Sequence, residues 1–336
     1  MARRQTTLQR RMSAFVDWLA PDPARETQIR QQAHDIRERI RAAAHGDGLR
    51  VHSTPSAGSF EKRTGVRRHV TGGANVAGFD VDLPFVVSAR SNEEHELGFL
   101  LGRFDRYAAQ LYPQVRRERT KSAIALDFTG KHRRFDLVPM LATGVHTRQL
   151  LIRATGERVE TSVEQHVDFI RRRTEASNRL RGRVKFNECV RLVKWWRSFR
   201  QTDARLDVSS FVIGLLCADA YDHCQVEATY IATLERWFHH MRDVVRGRRR
   251  VAFRDYQSRA QSTAPAVWQV LDPVNPSNNV VKGWTVWEVD QLAAWLDQAV
   301  HACQQAMERD ARGVDHEALH WLVQLFGTPV KHHCGG

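Results

Sequence analysis

Lysine is scarce in this 336-residue chain: seven of its 51 basic residues are lysine and 44 are arginine. Acidic residues are also in deficit, 38 against 51, which leaves a net charge of +13. A surface of this kind favours phosphate-rich partners, because the guanidinium fork matches phosphate geometry. Long apolar runs are missing too. The longest, Phe211 to Ala218, falls far short of the roughly 20 residues that cross a bilayer, which excludes a helical membrane protein. The basic N-terminus, MARRQTTLQRRM, lacks the apolar stretch of a signal peptide. Cysteine is sparse: residues 189, 217, 224, 303 and 334 contain no CxxC pair and no even-numbered framework. Cys217 and Cys224 are expected to be small core hydrophobes. These absences point to a reducing, cytoplasmic setting, and a hydrophobic content of 42% is enough for two lobes with cores of their own.

What is present changes character along the chain. Residues 1–47 read as helical, and Gly46-Asp47-Gly48 supplies a stop after an Ala/Arg/Gln/Glu-rich stretch from Arg25 to His45. Residues 48–160 carry glycine clusters between β-branched and aromatic runs: FDVDLPFVV, SAIALDF and RRFDLVPML read as strands. A helix is expected between Asn92 and Leu111. Residues 161–330 read as helical again. Phe186, Cys189, Val190, Val193 and Trp196 share one helical face, and Val289, Leu292, Ala293, Leu296, Val300 and Cys303 share another. The exception is a Pro/Asn loop from Asp272 to Asn279; residues 331–336 form a tail. The expected class is α+β: a lobe with a mixed sheet packed on an all-helical lobe, the N-terminal helices lying between or across the two.

Carboxylates carry the chemistry. In FDVDL (Phe79 to Leu83) a period of two puts Asp80 and Asp82 on one face of a strand, with Val81 and Leu83 on the other. Asp136 in RRFDLVPM is similarly bracketed by Phe135 and Leu137. If the strands are neighbours, three carboxylates converge. Two unit charges about 4 Å apart repel by roughly 4 kcal/mol at an effective dielectric near 20. Divalent cations relieve that repulsion, and hard oxygen ligands suit Mg²⁺. A pair of such ions forms the clamp used in phosphoryl transfer. A lone DxD more commonly solvates the open face of a strand. Here Gly58-Ser59 lies 21 residues upstream, between a strand and a helical turn, where glycine lets phosphate approach backbone N–H groups and the Ser59 hydroxyl.

Glycine-serine, DxD and a strand aspartate, in that order, resemble the polymerase-β-type nucleotidyltransferase superfamily. The chain is similar in particular to the branch that holds oligoadenylate synthetases, cyclic GMP–AMP synthase and the bacterial CD-NTases. CVRLVKWWRSF (Cys189 to Phe199) resembles the family helix with a lysine before aromatic residues, SSFVIGLL (Ser209 to Leu216) the serine segment that follows, and LDPVNPSNNVV (Leu271 to Val281) the family loop. The resemblance covers roughly residues 50 to 300. It implies a nucleotidyltransferase that joins NTPs, ATP or GTP among them, into a cyclic di- or oligonucleotide messenger with release of pyrophosphate, in bacterial antiphage (CBASS) signalling.

By the same resemblance Asp80, Asp82 and Asp136 bind two Mg²⁺ or Mn²⁺ ions, and Asp136 helps activate the attacking ribose hydroxyl. Gly58 and Ser59 contact the donor triphosphate, while Lys194 and Ser210 hold its distal phosphates. Read without the resemblance, Lys194 is a surface lysine at the edge of an apolar stripe, Ser210 is a helix N-cap, and the aspartate of DPVNP builds an Asx turn.

Other features depart from the family pattern or lie outside it. TGVRRHVTGGANVAGF (Thr64 to Phe79) is longer than the compact form of the motif and reads as a lid, with Arg67 and Arg68 on phosphate, or as a solvated loop. Gly214 replaces the acidic residue that oligoadenylate synthetases tend to carry, and the zinc-binding insertion of the animal DNA sensor is missing. Arginine runs at 171–173, at 179, 181 and 183, and at 246 and 248–250 could hold a polynucleotide activator, but read first as solvated faces. His332-His333-Cys334 lacks the spacing of a zinc site. Some bacterial relatives work with ubiquitin-like conjugation machinery, which makes the terminal Gly336 a candidate for conjugation. The rival functions are template-independent tailing of RNA and an inactive scaffold binding RNA or protein.

Overall fold

A computed structural model describes residues 6–67, 69–71, 74–76, 81–88, 96–128, 133–143, 148–153, 155–201, 206–256 and 264–332. Along the chain run α1 (Thr7–Leu19), α2 (Pro23–Gly46), β1 (Val51–Ser53), α3 (Gly58–Glu61), β2 (His69–Thr71), β3 (Ala74–Val76) and β4 (Val81–Val87). Then come α4 (Leu97–Leu111), β5 (Arg116–Arg119), β6 (Ile124–Phe128), β7 (Arg133–Ala142), β8 (Gln149–Ile152) and β9 (Arg158–Thr161). The remainder is helical: α5 (Val163–Asn178), α6 (Phe186–Gln201), α7 (Ser210–Cys224), α8 (Tyr230–Arg246), α9 (Val286–Ala311), α10 (Asp315–Phe326) and α11 (Pro329–His332). Among the described residues no helix is long and apolar enough to cross a membrane. The chain divides into two compact units. One comprises Pro21–Arg63 and Phe79–Asp168; the other comprises Met1–Ala20, Thr64–Gly78 and Phe169–Gly336.

The first unit is built on a seven-stranded mixed sheet with the order β1-β4-β7-β6-β5, β8 pairing with β7 and β9 with β8. β4 and β7 are parallel, and the other pairs are antiparallel. Alternation decides which face is buried. Val81, Leu83, Phe85 and Val87 of β4, Phe135 and Leu137 of β7, and Ile124 and Leu126 of β6 join one core with Ile29, Ile36 and Ile40 of α2 and Leu100 and Phe104 of α4. The even positions of β4 and β7 therefore face away from that core. Asp22 caps α2 by accepting from the Ala24 N–H at 2.9 Å, and Pro23 sits at its first position. After α2, Gly48 takes a positive φ of 74°, the conformation that glycine allows without strain. The expected helix at Asn92–Leu111 is described from Leu97, and the stop at residues 46–48 lies where composition places it.

The second unit is helical apart from a hairpin. Its core holds Trp195, Trp196, Trp237, Trp268, Phe186 and Phe238, with the small buried residues Cys189, Cys217 and Cys303 filling between them. α1 belongs here: Phe15 and Trp18 pack edge-on against Trp195, whose indole N–H donates to the Phe326 carbonyl at 2.8 Å. A capping box between Thr285 and Glu288 starts α9. The segment after Thr64, read from sequence as a lid or a solvated loop, contains an antiparallel pair, β2 with β3 in the register His69↔Val76. Val70, Thr71 and Val76 flank a Gly-Gly pair, which is a hairpin signal. Arg67 packs its guanidinium 5.5 Å from the Trp18 ring and donates to the Ala20 carbonyl; Arg68 lies outside the described residues.

One arginine run needs correction. Arg171 and Arg172 are exposed, but Arg173 is buried. Its guanidinium stacks 3.9 Å from the Phe169 ring and bonds both carboxylate oxygens of Asp222 and of Asp255. The i,i+4 spacing puts Phe169 and Arg173 on the apolar side of α5, together with Ser177.

Candidate active site

The parallel pairing of β4 and β7 sets the site. Its register places Asp82 directly beside Asp136, with Val81 beside Phe135 and Leu83 beside Leu137. Neighbouring strands lie about 4.8 Å apart and paired residues of a parallel ladder share a face, so both carboxylates stand on the side turned away from the core. The strand alternation read from sequence is what puts them there. Asp80 lies outside the described residues, so Asp82 and Asp136 are the two of the three candidates whose placement is known.

Opposite Asp136 on its other flank is Ala125 of β6, and Glu118 of β5 follows in the same row. A methyl group at Ala125 leaves room beside the carboxylate. Arg134, two residues before Asp136 and so on the same face, reaches Asp136 Oδ1 and Glu118 Oε2, each at 3.3 Å. Burial pushes the Asp136 carboxyl above its ordinary range, a rise that the Arg134 guanidinium offsets only in part. Arg134 and Glu118 were missed by motif reading. Period two within RRFDL contains the signal for Arg134, whereas Glu118 depends on the β5–β6 pairing.

Gly58 opens α3 with a φ of 78°. A Cβ built on it would overlap Asp82 Oδ2 and sit 3.1 Å from Asp82 Cγ. The absent side chain is therefore what lets the turn lie against the carboxylate. Ser59 is half-buried at the start of α3, while Phe60 is buried in the sheet unit's core and Glu61 pairs with Arg30 of α2 at 3.1 Å. The turn is thus anchored on both sides.

Lys194 and Ser210 belong to the helical unit. Lys194 is 7% exposed, and its ammonium donates to Thr64 Oγ1 at 2.9 Å and to the Thr64 carbonyl at 3.3 Å. Read as a surface lysine it would be solvated; instead its stem is buried and its head is held by a loop residue that the sequence did not single out. Ser210 is exposed. The N-cap of α7 is its neighbour Ser209, which accepts from the Val212 N–H, while Ser210 Oγ accepts from Arg197 of α6 at 2.5 Å. Asp272 builds the Asx turns expected of it, its Oδ1 accepting from the N–H groups of Val274 and Asn275. Gly336 lies outside the described residues, as do His333 and Cys334.

Two half-buried carboxylates in register, a small neighbour and a glycine turn against one of them suit a hard divalent cation with open positions for water and phosphate.

Comparison with known proteins identifies the family. Residues 6–173 match the model of the Second Messenger Oligonucleotide or Dinucleotide Synthetase domain. A cyclic AMP-AMP-AMP synthase of Escherichia coli (strain MS 115-1) is 28% identical over 230 residues, 66% of this chain and 68% of that protein. The structure of E. coli MS115-1 CdnC with ATP superposes with a TM-score of 0.80 at 23% identity, covering 98% of this chain and 99% of the other. Bradyrhizobium diazoefficiens CdnG with GTP gives 0.71 at 13% identity, covering 97% and 98%. Vibrio cholerae DncV, a cyclic AMP-GMP synthase held with a linear intermediate, gives 0.69 at 12% identity, covering 98% of each chain. The mixed sheet, the in-register aspartates and the matched domain lead to one assignment: the chain belongs to the Second Messenger Oligonucleotide or Dinucleotide Synthetase family, nucleotidyltransferases that build second messengers from NTPs.

Proposed function

We propose that the chain makes a cyclic oligonucleotide with ATP as a substrate, and that Asp82 and Asp136, together with Asp80, form its catalytic centre. The observation that carries this reading is the register of Asp82 against Asp136 beside the bare backbone of Gly58. The E. coli cyclic AMP-AMP-AMP synthase supports adenine as a base and a cyclic product. Asp80, Asp82 and Asp136 would hold two divalent ions, Mg²⁺ or Mn²⁺, which neutralise charge on the attacking and leaving oxygens when bound.

The chain's own residues then orient and exchange protons. Asp136, whose carboxyl burial makes more basic, accepts the proton of the ribose hydroxyl that attacks the α-phosphate. Arg134 fixes that carboxylate through Oδ1, leaving Oδ2 to the hydroxyl. The N–H groups of Gly58 and Ser59 and the Ser59 hydroxyl bind the donor triphosphate. In the helical unit, Lys194 and Ser210 are assigned to phosphate. Pyrophosphate leaves at each bond formed, and in ring closure the terminal hydroxyl of the linear oligonucleotide attacks the α-phosphate of its own 5′ triphosphate with the same loss of pyrophosphate.

Two further assignments belong to this reading. The buried free thiols suit a cytoplasmic enzyme, where NTPs are abundant. The E. coli CdnC relative has been captured with a HORMA protein, which supports a protein partner for this chain; joining of Gly336 to a target by ubiquitin-like conjugation machinery is a separate proposal.

The test is synthesis by the purified chain from radiolabelled NTPs with Mg²⁺ or Mn²⁺, followed by phosphatase and chromatography. The expected result is a phosphatase-resistant product that disappears when ATP is omitted and falls at least about 10³-fold in Asp82→Ala, since a lost metal ligand removes several kcal/mol of charge stabilisation. Synthesis retained in Asp82→Ala would overturn the site. A strict need for added RNA would favour tailing instead.

A further inference from the structure

We propose that Asp219, His223 and His240 form a binding site for a transition-metal dication of the zinc class within the helical unit. Asp219 and His223 are i,i+4 on α7, so they stand one turn apart on one face. His240 comes from α8, which packs against α7. One carboxylate oxygen and one nitrogen of each imidazole all lie within 4.8 Å of one another.

The ring geometry fits a shared ion. The two imidazoles lie 4.7 Å apart, centre to centre, with an interplanar angle of 24°. Two imidazoles bound to one ion at about 2.0–2.1 Å, with nitrogen–metal–nitrogen angles of about 90–110°, have centres roughly 4.5–5.1 Å apart. The carboxylate is placed between them: Asp219 Oδ2 lies 2.7 Å from His240 Nε2, and Oδ1 lies 3.6 Å from His223 Nδ1. His223 Nδ1 is also 2.8 Å from the Asp219 carbonyl oxygen, a backbone bond that orients the ring and leaves Nε2 as the nitrogen open to an ion.

A hydrogen bond between Asp219 and His240 explains those two residues without a metal. It does not explain why the largely solvent-facing His223 ring lies beside them. Burial runs in the order a bound ion needs: the side chains of Asp219 and His240 are 10% and 14% exposed, while that of His223 is 62% exposed and borders solvent. Three ligands with a wet side leave a position for water or an exogenous group. Imidazole nitrogen selects zinc, cobalt or nickel over Mg²⁺, which prefers oxygen alone. The ion would tie the last turn of α7 to α8.

The experiment uses the full chain carrying Asp80→Asn, Asp82→Asn and Asp136→Asn, so that the catalytic carboxylates compete for no metal. After chelator treatment it is titrated with Co²⁺, read by visible absorption, and the Co²⁺ is then displaced with Zn²⁺. One ion per chain is expected, unaffected by millimolar Mg²⁺, with a thermal midpoint raised by about 5 °C when Zn²⁺ stands 100-fold above its Kd. His223→Ala, at an exposed position that spares the core, should weaken Co²⁺ binding at least tenfold; His240→Gln should do the same. Absence of stoichiometric uptake, or a loss of less than tenfold in His223→Ala, would overturn the proposal.

Discussion

Gly58 and Asp82 are in contact through the hydrogen atom that every other residue would replace with a carbon. The positive φ of Gly58 and the overlap that a Cβ would make with Asp82 Oδ2 both oppose substitution. Gly58→Ala therefore carries two penalties: about 1–2 kcal/mol for an L-residue in the left-handed region, and displacement of a carboxylate whose position the chemistry needs. Small misplacements of catalytic groups cost on the order of 10²-fold in rate. The expected result is a fold unchanged by circular dichroism, a loss of no more than a few kcal/mol of stability, and synthesis reduced by about 10²-fold or more. Wild-type turnover in Gly58→Ala would show that the turn tolerates a side chain.

Stability of the sheet unit should respond to pH through Asp47 and Tyr107. The Tyr107 hydroxyl donates to Asp47 Oδ2 at 2.6 Å, and Arg103 and Arg106 reach the same oxygen. These partners, the tyrosine first, hold the Asp47 carboxyl below its ordinary range, against a smaller opposing effect of burial. Burial and the neighbouring carboxylate push Tyr107 up to about 12. The depressed carboxyl contributes stability that is present above its unfolded value of 3.8 and lost as pH falls through the lower folded value. The raised hydroxyl contributes stability that is present below 10.0 and lost as pH rises towards about 12. Urea unfolding of wild type and Tyr107→Phe across pH should show both limbs flattened in the variant. Identical profiles would mean the cluster makes no net contribution.

The parts of this architecture that the chain spells out locally are those governed by short periods. Alternation in FDVDL and RRFDL placed Val81, Leu83, Phe135 and Leu137 in the core and the aspartates on the opposite face, and the parallel register of β4 and β7 agrees. What pairwise packing decides was not legible. Thr64 holds Lys194 across 130 residues, and Glu118 joins Arg134 through a strand pairing that no motif announces. Asp219, His223 and His240 were invisible for the same reason, since two are spaced as any helix pair and the third lies on another helix. The hairpin β2–β3 was a different matter: its Gly-Gly pair was read as loop composition, although β-branched residues flank it.

The loop from Asp272 to Asn279 should act as a structural brace rather than as a contact site. Asn279, 5% exposed, accepts from the N–H groups of Val270 and Val281 through Oδ1 and donates to the Trp268 carbonyl at 2.9 Å. Asn279→Ala leaves buried backbone groups without partners, at about 1–3 kcal/mol for each group left unmet. Denaturant unfolding should show a loss of about 3 kcal/mol or more, while kcat measured well below the transition stays within about twofold of wild type. A selective loss of kcat in a stable variant would instead give the loop a direct part in the chemistry.

Arg173 should matter more for stability than any of the exposed arginines. Its guanidinium is 7% exposed, lies over the Phe169 ring, and joins Asp222 and Asp255, the latter 16% exposed. Removing it strands two carboxylates, one of them well buried, and breaking a buried pair by deleting one partner costs about 3–5 kcal/mol. Asp222 is more open than that figure assumes, at 38% exposed, which places the expected loss for Arg173→Met near the lower end, about 3 kcal/mol. Arg171→Ala and Arg172→Ala, at exposed positions of the same run, should each change stability by less than about 0.5 kcal/mol. If the run were only a solvated basic face, all three substitutions would be equally mild, so parallel denaturation curves of the three variants separate the two descriptions. Asp222→Asn/Asp255→Asn in the Arg173→Met background should recover part of the loss, because the stranded charges are then gone; no recovery would locate the cost in the lost stacking on Phe169.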